Sequence, residues 1–181
     1  MSLMDAPSYD PTSDNRRRNL LIGLAAGILL LAILSFTGFV LGHGWLFSNL
    51  GYEQRVNNFF NALEAKDYAK AYGIYYNDPD WQQHPAQHSD YPLARFTEDW
   101  TTFSPVHAPI TSHHVDVSVI EGSGTFGTGV IVAVRVNGSN YSAKQPDDSK
   151  GNSISGYKIF MDVNRADKTL SWPAPHEIQY H

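Results

Sequence analysis

The sequence contains no cysteine. This excludes a disulfide framework, a lipoprotein thioether, thiol catalysis and cysteine-ligated zinc or iron–sulfur clusters. Charge is also sparse: 17% of residues are Asp, Glu, Lys or Arg, and the net charge at pH 7 is −5. Setting aside the three arginines and three aspartates of the first 18 residues leaves the remainder at the same −5. No basic stripe is left to meet phosphates, so nucleic acid is excluded as a partner. One stretch lacks charge of either sign altogether: residues 20–42 read LLIGLAAGILLLAILSFTGFVLG.

That run is what the chain has in place of charge. As a helix rising about 1.5 Å per residue it reaches ~34 Å, enough for a hydrocarbon core of about 30 Å. A buried core helix is the competing reading, but such helices rarely run past about 14 apolar residues. Arg16, Arg17 and Arg18 stand directly before the run and no comparable cluster comes after it. The positive-inside rule then keeps the N-terminus cytoplasmic and exports the C-terminal part of the chain. Trp45, Phe47 and Tyr52 are expected to anchor at the far interface. A cleaved signal peptide would need an apolar region of about 7–15 residues ending in a small-x-small site. Here the run is longer and only Gly42-His43-Gly44 offers a site, so an uncleaved anchor is expected. The expected layout is a short disordered cytoplasmic tail over 1–18, a transmembrane helix over 19–43, a tether over 44–51, and an extracytoplasmic domain over 52–181. In a Gram-negative cell that domain is periplasmic. The lipid bilayer is the first expected partner.

Residues 56–76, VNNFFNALEAKDYAKAYGIYY, read as helix, but the apolar stripe fails midway. Val56, Phe59, Phe60 and Leu63 fall at i, i+3, i+4 and i+7, one buried face. Continuing that face would bury Lys66, Asp67 and Lys70, too costly for unpaired charges. A second stripe of Tyr68, Tyr72, Tyr75 and Tyr76 starts out of phase. Two helices, or one sharply bent helix, are predicted, covering a broad apolar sheet supplied later in the chain. PLARFTEDWTTF puts Leu93, Phe96 and Trp100 at helical spacing, a third short helix. HHVDVSVIEG alternates Val115, Val117 and Val119 against Asp116 and Ser118, a half-buried strand. GVIVAVRVNGS is a second strand, with Asn137-Gly138 as a turn signal and NYSAKQ as its return arm. ISGYKIFMDVN and TLSWPAPHEIQY read as a final hairpin across residues 165–168. The fold class expected is α+β: a transmembrane helix, then two or three helices on a curved antiparallel sheet of four or five strands.

FFNALEAKDYAKAY, two helices with a short charged joint, together with this strand order, resembles the NTF2-like (cystatin-like) superfamily over about residues 51–181. The resemblance implies a cone with an apolar pocket, here expected to involve Tyr72, Trp81, Phe96 and Trp100. The usual short hairpin between the second and third helices is replaced by NDPDWQQHPAQHSDYP. Many NTF2-like enzymes run acid–base chemistry inside the cone, which makes Asp99 and His107 the catalytic candidates. A carboxylate in an apolar pocket would have a raised pKa suited to proton transfer. Asp99, however, falls off the Leu93–Phe96–Trp100 face and is expected to meet solvent.

Other motifs carry less. GSGTFG matches G-x-G-x-x-G, yet a dinucleotide site needs a helix after it, and the next residues, from Val130, read as a strand. His84 and His88 stand four apart beside Asp80 and Asp90, with His113-His114 later; a regular helix would make the pair a zinc site. Pro85 between them predicts a loop instead, and no metal or cofactor is expected. Asn137-Gly138-Ser139 and Asn140-Tyr141-Ser142 match the glycosylation sequon, which matters only in a eukaryotic secretory pathway. The expected function is binding or scaffolding in a membrane complex, by a protein partner or self-association through the sheet. The alternatives are a small apolar ligand in the cone or an acid–base enzyme of isomerase or dehydratase type.

Overall fold

The failure of the apolar stripe after Leu63 is a physical joint between two helices. Helix α2 spans Leu50–Glu64 and α3 spans Tyr68–Tyr76. Between them Lys66 takes φ 58°, a left-handed conformation that ends α2. The Asp67 side chain then caps α3 by accepting the Lys70 N–H at 3.0 Å, the role short acidic side chains play at helix starts. The computed structural model that shows this describes residues 11–121, 128–139 and 156–180. The expected return arm over 140–145, the second sequon and the glycine-rich residues 122–127 lie outside the described residues.

The architecture is α+β. Helix α1, Pro11–Val40, precedes α2 and α3; α4, Leu93–Asp99, comes after two short 3₁₀ segments, Trp81–Gln83 and Pro85–His88. Strands β1 (Ile110–Ile120), β2 (Gly129–Gly138), β3 (Tyr157–Asn164) and β4 (Leu170–Ser171) form an open antiparallel sheet in that order. Within α1, Asn15–Val40 is long and apolar enough to cross a membrane, and its most apolar stretch buries nothing against the rest of the chain. The helix begins at Pro11, so residues 11–18, assigned to the tail by composition, are helical; proline favours a first helical position and nothing after it breaks the run.

The core lies between α2 and one face of the sheet. Val56, Phe59, Phe60 and Leu63 of α2 meet Val130, Val132, Val134 and Val136 of β2 and Ile159, Met161 and Val163 of β3, all buried. The predicted alternation of β1 holds only in part. The register shifts between Val115 and Val117, so Asp116 has no register partner on β2, although its carboxylate reaches Arg135 Nε at 2.7 Å. Such a bulge reverses the faces of everything beyond it. Val115 packs on the core, but Ser118 is buried and Val119 is 45% exposed, the opposite of the simple alternation.

The reversed segment of β1 receives the chain leaving α1. The Ser118 N–H donates to the Gly42 carbonyl at 2.9 Å, and Asn49 Nδ2 donates to the Ser118 carbonyl at 3.3 Å. Ser118 Oγ donates to Glu53 Oε1 at 2.5 Å, and His43 Nδ1 lies 2.9 Å from both oxygens of the same carboxylate. Gly42 has φ 79°, and a Cβ there would lie 2.9 Å from Val117 Cγ1, so only glycine passes this point. Residues 42–49 are thus built onto the sheet edge. Tyr52, expected at a membrane interface, lies under Lys168 Nζ, 4.5 Å from its ring centroid.

Candidate functional site: an aromatic cleft beside the fourth helix

The four aromatic residues expected around a pocket are brought together as a packed cluster. Tyr72 and Phe96 are fully buried, their ring centroids 5.3 Å apart; Trp81 stands 4.8 Å from Tyr72, and Trp100 6.3 Å from Phe96. The polar ends are satisfied: Tyr72 Oη donates to the Tyr91 carbonyl at 2.7 Å and Trp81 Nε1 to the Ala69 carbonyl at 3.1 Å. Burial pushes the Tyr72 hydroxyl up to about 12. Leu93 packs half-buried against the same cluster. Tyr72 meets Trp81 and Phe96 edge to face, as aromatic pairs prefer, and Phe96 and Trp100 are tilted by 44°.

The hollow lies one layer further out. A cleft of about 490 Å³ is lined by Tyr75, Tyr76, Tyr91, Asp99, Trp100 and Trp172. Its walls arise from helical spacing. With Tyr72 turned inward, Tyr75 and Tyr76 at i+3 and i+4 reach the rim of α3. On α4 the same spacing puts Phe96 inside and Asp99 and Trp100 beside the opening. Trp172, just past β4, closes the far side, 5.7 Å from Trp100. The rings are mutually inclined, by 78° for Tyr75–Tyr76, 52° for Tyr75–Tyr91 and 55° for Trp100–Trp172.

Asp99 is a wall of this cleft, with its side chain 24% exposed, and does not stand out in solvent. Tyr91 Oη donates to its Oδ2 at 2.9 Å, and Arg95 Nη2 lies 3.0 Å from its Oδ1. Burial, then the hydrogen bond to Asp99, pushes the Tyr91 hydroxyl far up. Tyr75 is also raised, by burial first and then by Tyr76, while a backbone hydrogen bond from Trp172 opposes the shift. Burial again leads in raising Tyr76, helped by Asp90. All three phenols therefore stay neutral at pH 7. His107 is exposed, at φ 52°, and is not part of the cleft, so Asp99 and His107 are not brought together as an acid–base pair.

The chain is similar to nothing that would name this cleft. Searches of protein-family models, curated proteins and solved structures find no match.

His84, His88 and His113 have structural partners. His88 Nε2 lies 3.0 Å and His84 Nδ1 3.5 Å from Asp78 Oδ2, each histidine on its own 3₁₀ segment or its end. His113 is pinned by Glu64 at 2.5 Å and Asn57 at 3.0 Å, and stacks on Phe60. Among the described residues, no group of three such ligands is arranged to hold a metal ion. The element after the glycine-rich residues is β2, with no helix to hold a pyrophosphate. A second depression, about 600 Å³, opens at the junction below α1 and includes Phe39, Trp45, Val119 and Arg165. Sequence reasoning missed Tyr91 and Trp172 as cleft walls. The tyrosine stripe signalled the α3 rim, but no local pattern ties Trp172 to it.

Proposed function

We propose that this chain is a single-pass, membrane-anchored binding domain that takes a small ligand in the Tyr75–Trp172 cleft. In this reading α1 spans the bilayer with the N-terminus in the cytoplasm, and the domain, NTF2-like in its order of helices and strands, stands outside. The observation that carries it is the cleft itself: five aromatic side chains and one carboxylate around an opening against the packed core. Binding is favoured over proton transfer because both Asp99 oxygens are engaged, by Tyr91 and Arg95, and His107 is elsewhere. A ligand in the cleft is favoured over a protein on the outer sheet face because the C-terminal segment already crosses part of that face. There Tyr180 Oη donates to Asp116 and its ring lies under Lys158 Nζ at 4.2 Å.

Native mass spectrometry of the full chain, released gently from membranes, tests the proposal. A small molecule that accompanies the wild type and is lost from Trp172→Leu is the expected result. A stoichiometric protein partner retained equally by wild type and variant, with no small molecule, would favour scaffolding through the sheet.

A further inference from the structure

We infer that the ligand of this cleft is a small organic cation, of the quaternary-ammonium or methylated-amine class, held against the rings of Tyr75, Tyr76, Tyr91, Trp100 and Trp172 beside Asp99. The inference rests on the binding reading above and narrows it. Aromatic faces carry negative quadrupole potential, and several inclined rings around one point attract a cation without hydrogen-bonding it. Here Tyr75 is inclined to Tyr76 and to Tyr91, and Trp100 to Trp172, and all five rings line one cleft. Among the described lining residues Asp99 carries the only formal charge, and it is negative. Arg95 meets Asp99 from outside the lining, with its own side chain 56% exposed, where solvent screens it. The neutral state of the three phenols leaves the walls as uncharged π surfaces.

The other ligand classes fit worse. An anion would face Asp99 and the ring quadrupoles with no cation in the lining. A metal ion would need several oxygen ligands, and the cleft has one carboxylate already engaged twice. A primary ammonium needs three acceptors. A wholly apolar ligand would cover Asp99 and its ion pair with Arg95 while bringing no charge of its own, which is unfavourable. Methylated ammonium suits the set: it is cationic, apolar at its surface and makes no demand for acceptors. The net charge of −5 biases encounter in the same direction.

The test uses the full chain in maltoside micelles, at constant ionic strength, read by tryptophan fluorescence. Choline and tetramethylammonium are titrated against 3,3-dimethylbutan-1-ol, the neutral isostere of choline, and indole. Choline is expected to bind at least about tenfold more tightly than its isostere. Asp99→Asn, which keeps an acceptor for Tyr91, should weaken choline by about threefold or more and leave the isostere unchanged; Trp172→Leu should weaken choline about tenfold. Unchanged melting temperatures of both variants establish that they fold. Equal binding of choline and isostere, or Trp172-dependent binding of indole alone, would overturn the cation inference while leaving a binding cleft. No Trp172-dependent binding of any of the four probes would overturn both.

Discussion

At the scale of single residues, Asp78 shows how a surface carboxylate acquires a role. His88 holds it first, with the Asp80 N–H and His84 adding to the effect, and its pKa is lowered from the usual 3.8. A carboxylate whose folded pKa lies below its unfolded one stabilises the fold fully above the unfolded value. That contribution is lost as pH falls through the folded value. Asp78→Asn should therefore melt below wild type at pH 5–7, and the gap should close as pH falls below the usual 3.8 and through the lowered folded value. A gap that stays constant down to pH ~2 would show that this carboxylate is not linked to folding. Trp100 is the residue on which packing depends most visibly. It is buried, 5.0 Å from Phe59 and 5.9 Å from Phe60, and also forms a wall of the cleft. Trp100→Ala should cost about 3–5 kcal/mol, out of the roughly 5–15 kcal/mol that holds a domain together. Denaturant unfolding of the full chain in micelles measures it; a loss of choline affinity with unchanged stability would make Trp100 a ligand wall only.

At the scale of elements, the joint between α2 and α3 and the bulge in β1 decide how the pieces meet. The joint turns Tyr75 and Tyr76 toward α4 instead of extending the α2 face over the sheet. The bulge at Asp116 turns Ser118 inward to Glu53, which also receives His43. Glu53 is buried, and removing its carboxylate takes the acceptor from partly exposed His43 and leaves Ser118 Oγ only the Gly42 carbonyl at 3.5 Å. Each unsatisfied buried group costs about 1–3 kcal/mol. Glu53→Ala should lower the melting temperature and also open residues 42–49 to protease, whereas Glu53→Gln should do less of both. Limited proteolysis coupled to mass spectrometry reads the site of cleavage; protection equal to wild type in Glu53→Ala would show that the Gly42 carbonyl and the Asn49 side-chain amide suffice.

At the scale of the whole molecule, these contacts make the exit from α1 a short, hydrogen-bonded junction. The domain is thereby set at a defined pose against the end of its apolar helix, through Gly42, His43 and Asn49. If α1 is the anchor, the domain does not swing freely above a bilayer. A phosphatase fused after the last residue should be active outside the cytoplasm, and a cytoplasmic reporter at the same point silent; the reverse pattern would sink the proposed orientation. Replacing Arg16, Arg17 and Arg18 by neutral residues should yield a mixture of both orientations, because these are the charges that bias insertion.

Residues 20–42, the two out-of-phase helical stripes, the third helix and the run of β-branched strands are each determined locally, by spacing and composition. Side chains at i, i+3 and i+4 or at alternate positions must share a face whatever else the chain does. The α+β layout was legible for that reason. The cleft was legible only in part: Tyr75, Tyr76, Asp99 and Trp100 sit at readable positions on α3 and α4. Trp172 does not, because its neighbour Trp100 is far away in the sequence, and Tyr91 does not, because it precedes α4 where no helical spacing sets its direction. The direction of Ser118 and Val119 differs from the simple alternation because one residue of β1 without a register partner reverses every side chain after it, and the pairing with β2 that creates the bulge is a long-range event. Local order along the chain thus settles which segments are helix, strand and apolar span. Packing in three dimensions settles which aromatic rings fill the core and which surround an opening, since both groups carry the same chemistry and differ only in what lies against them.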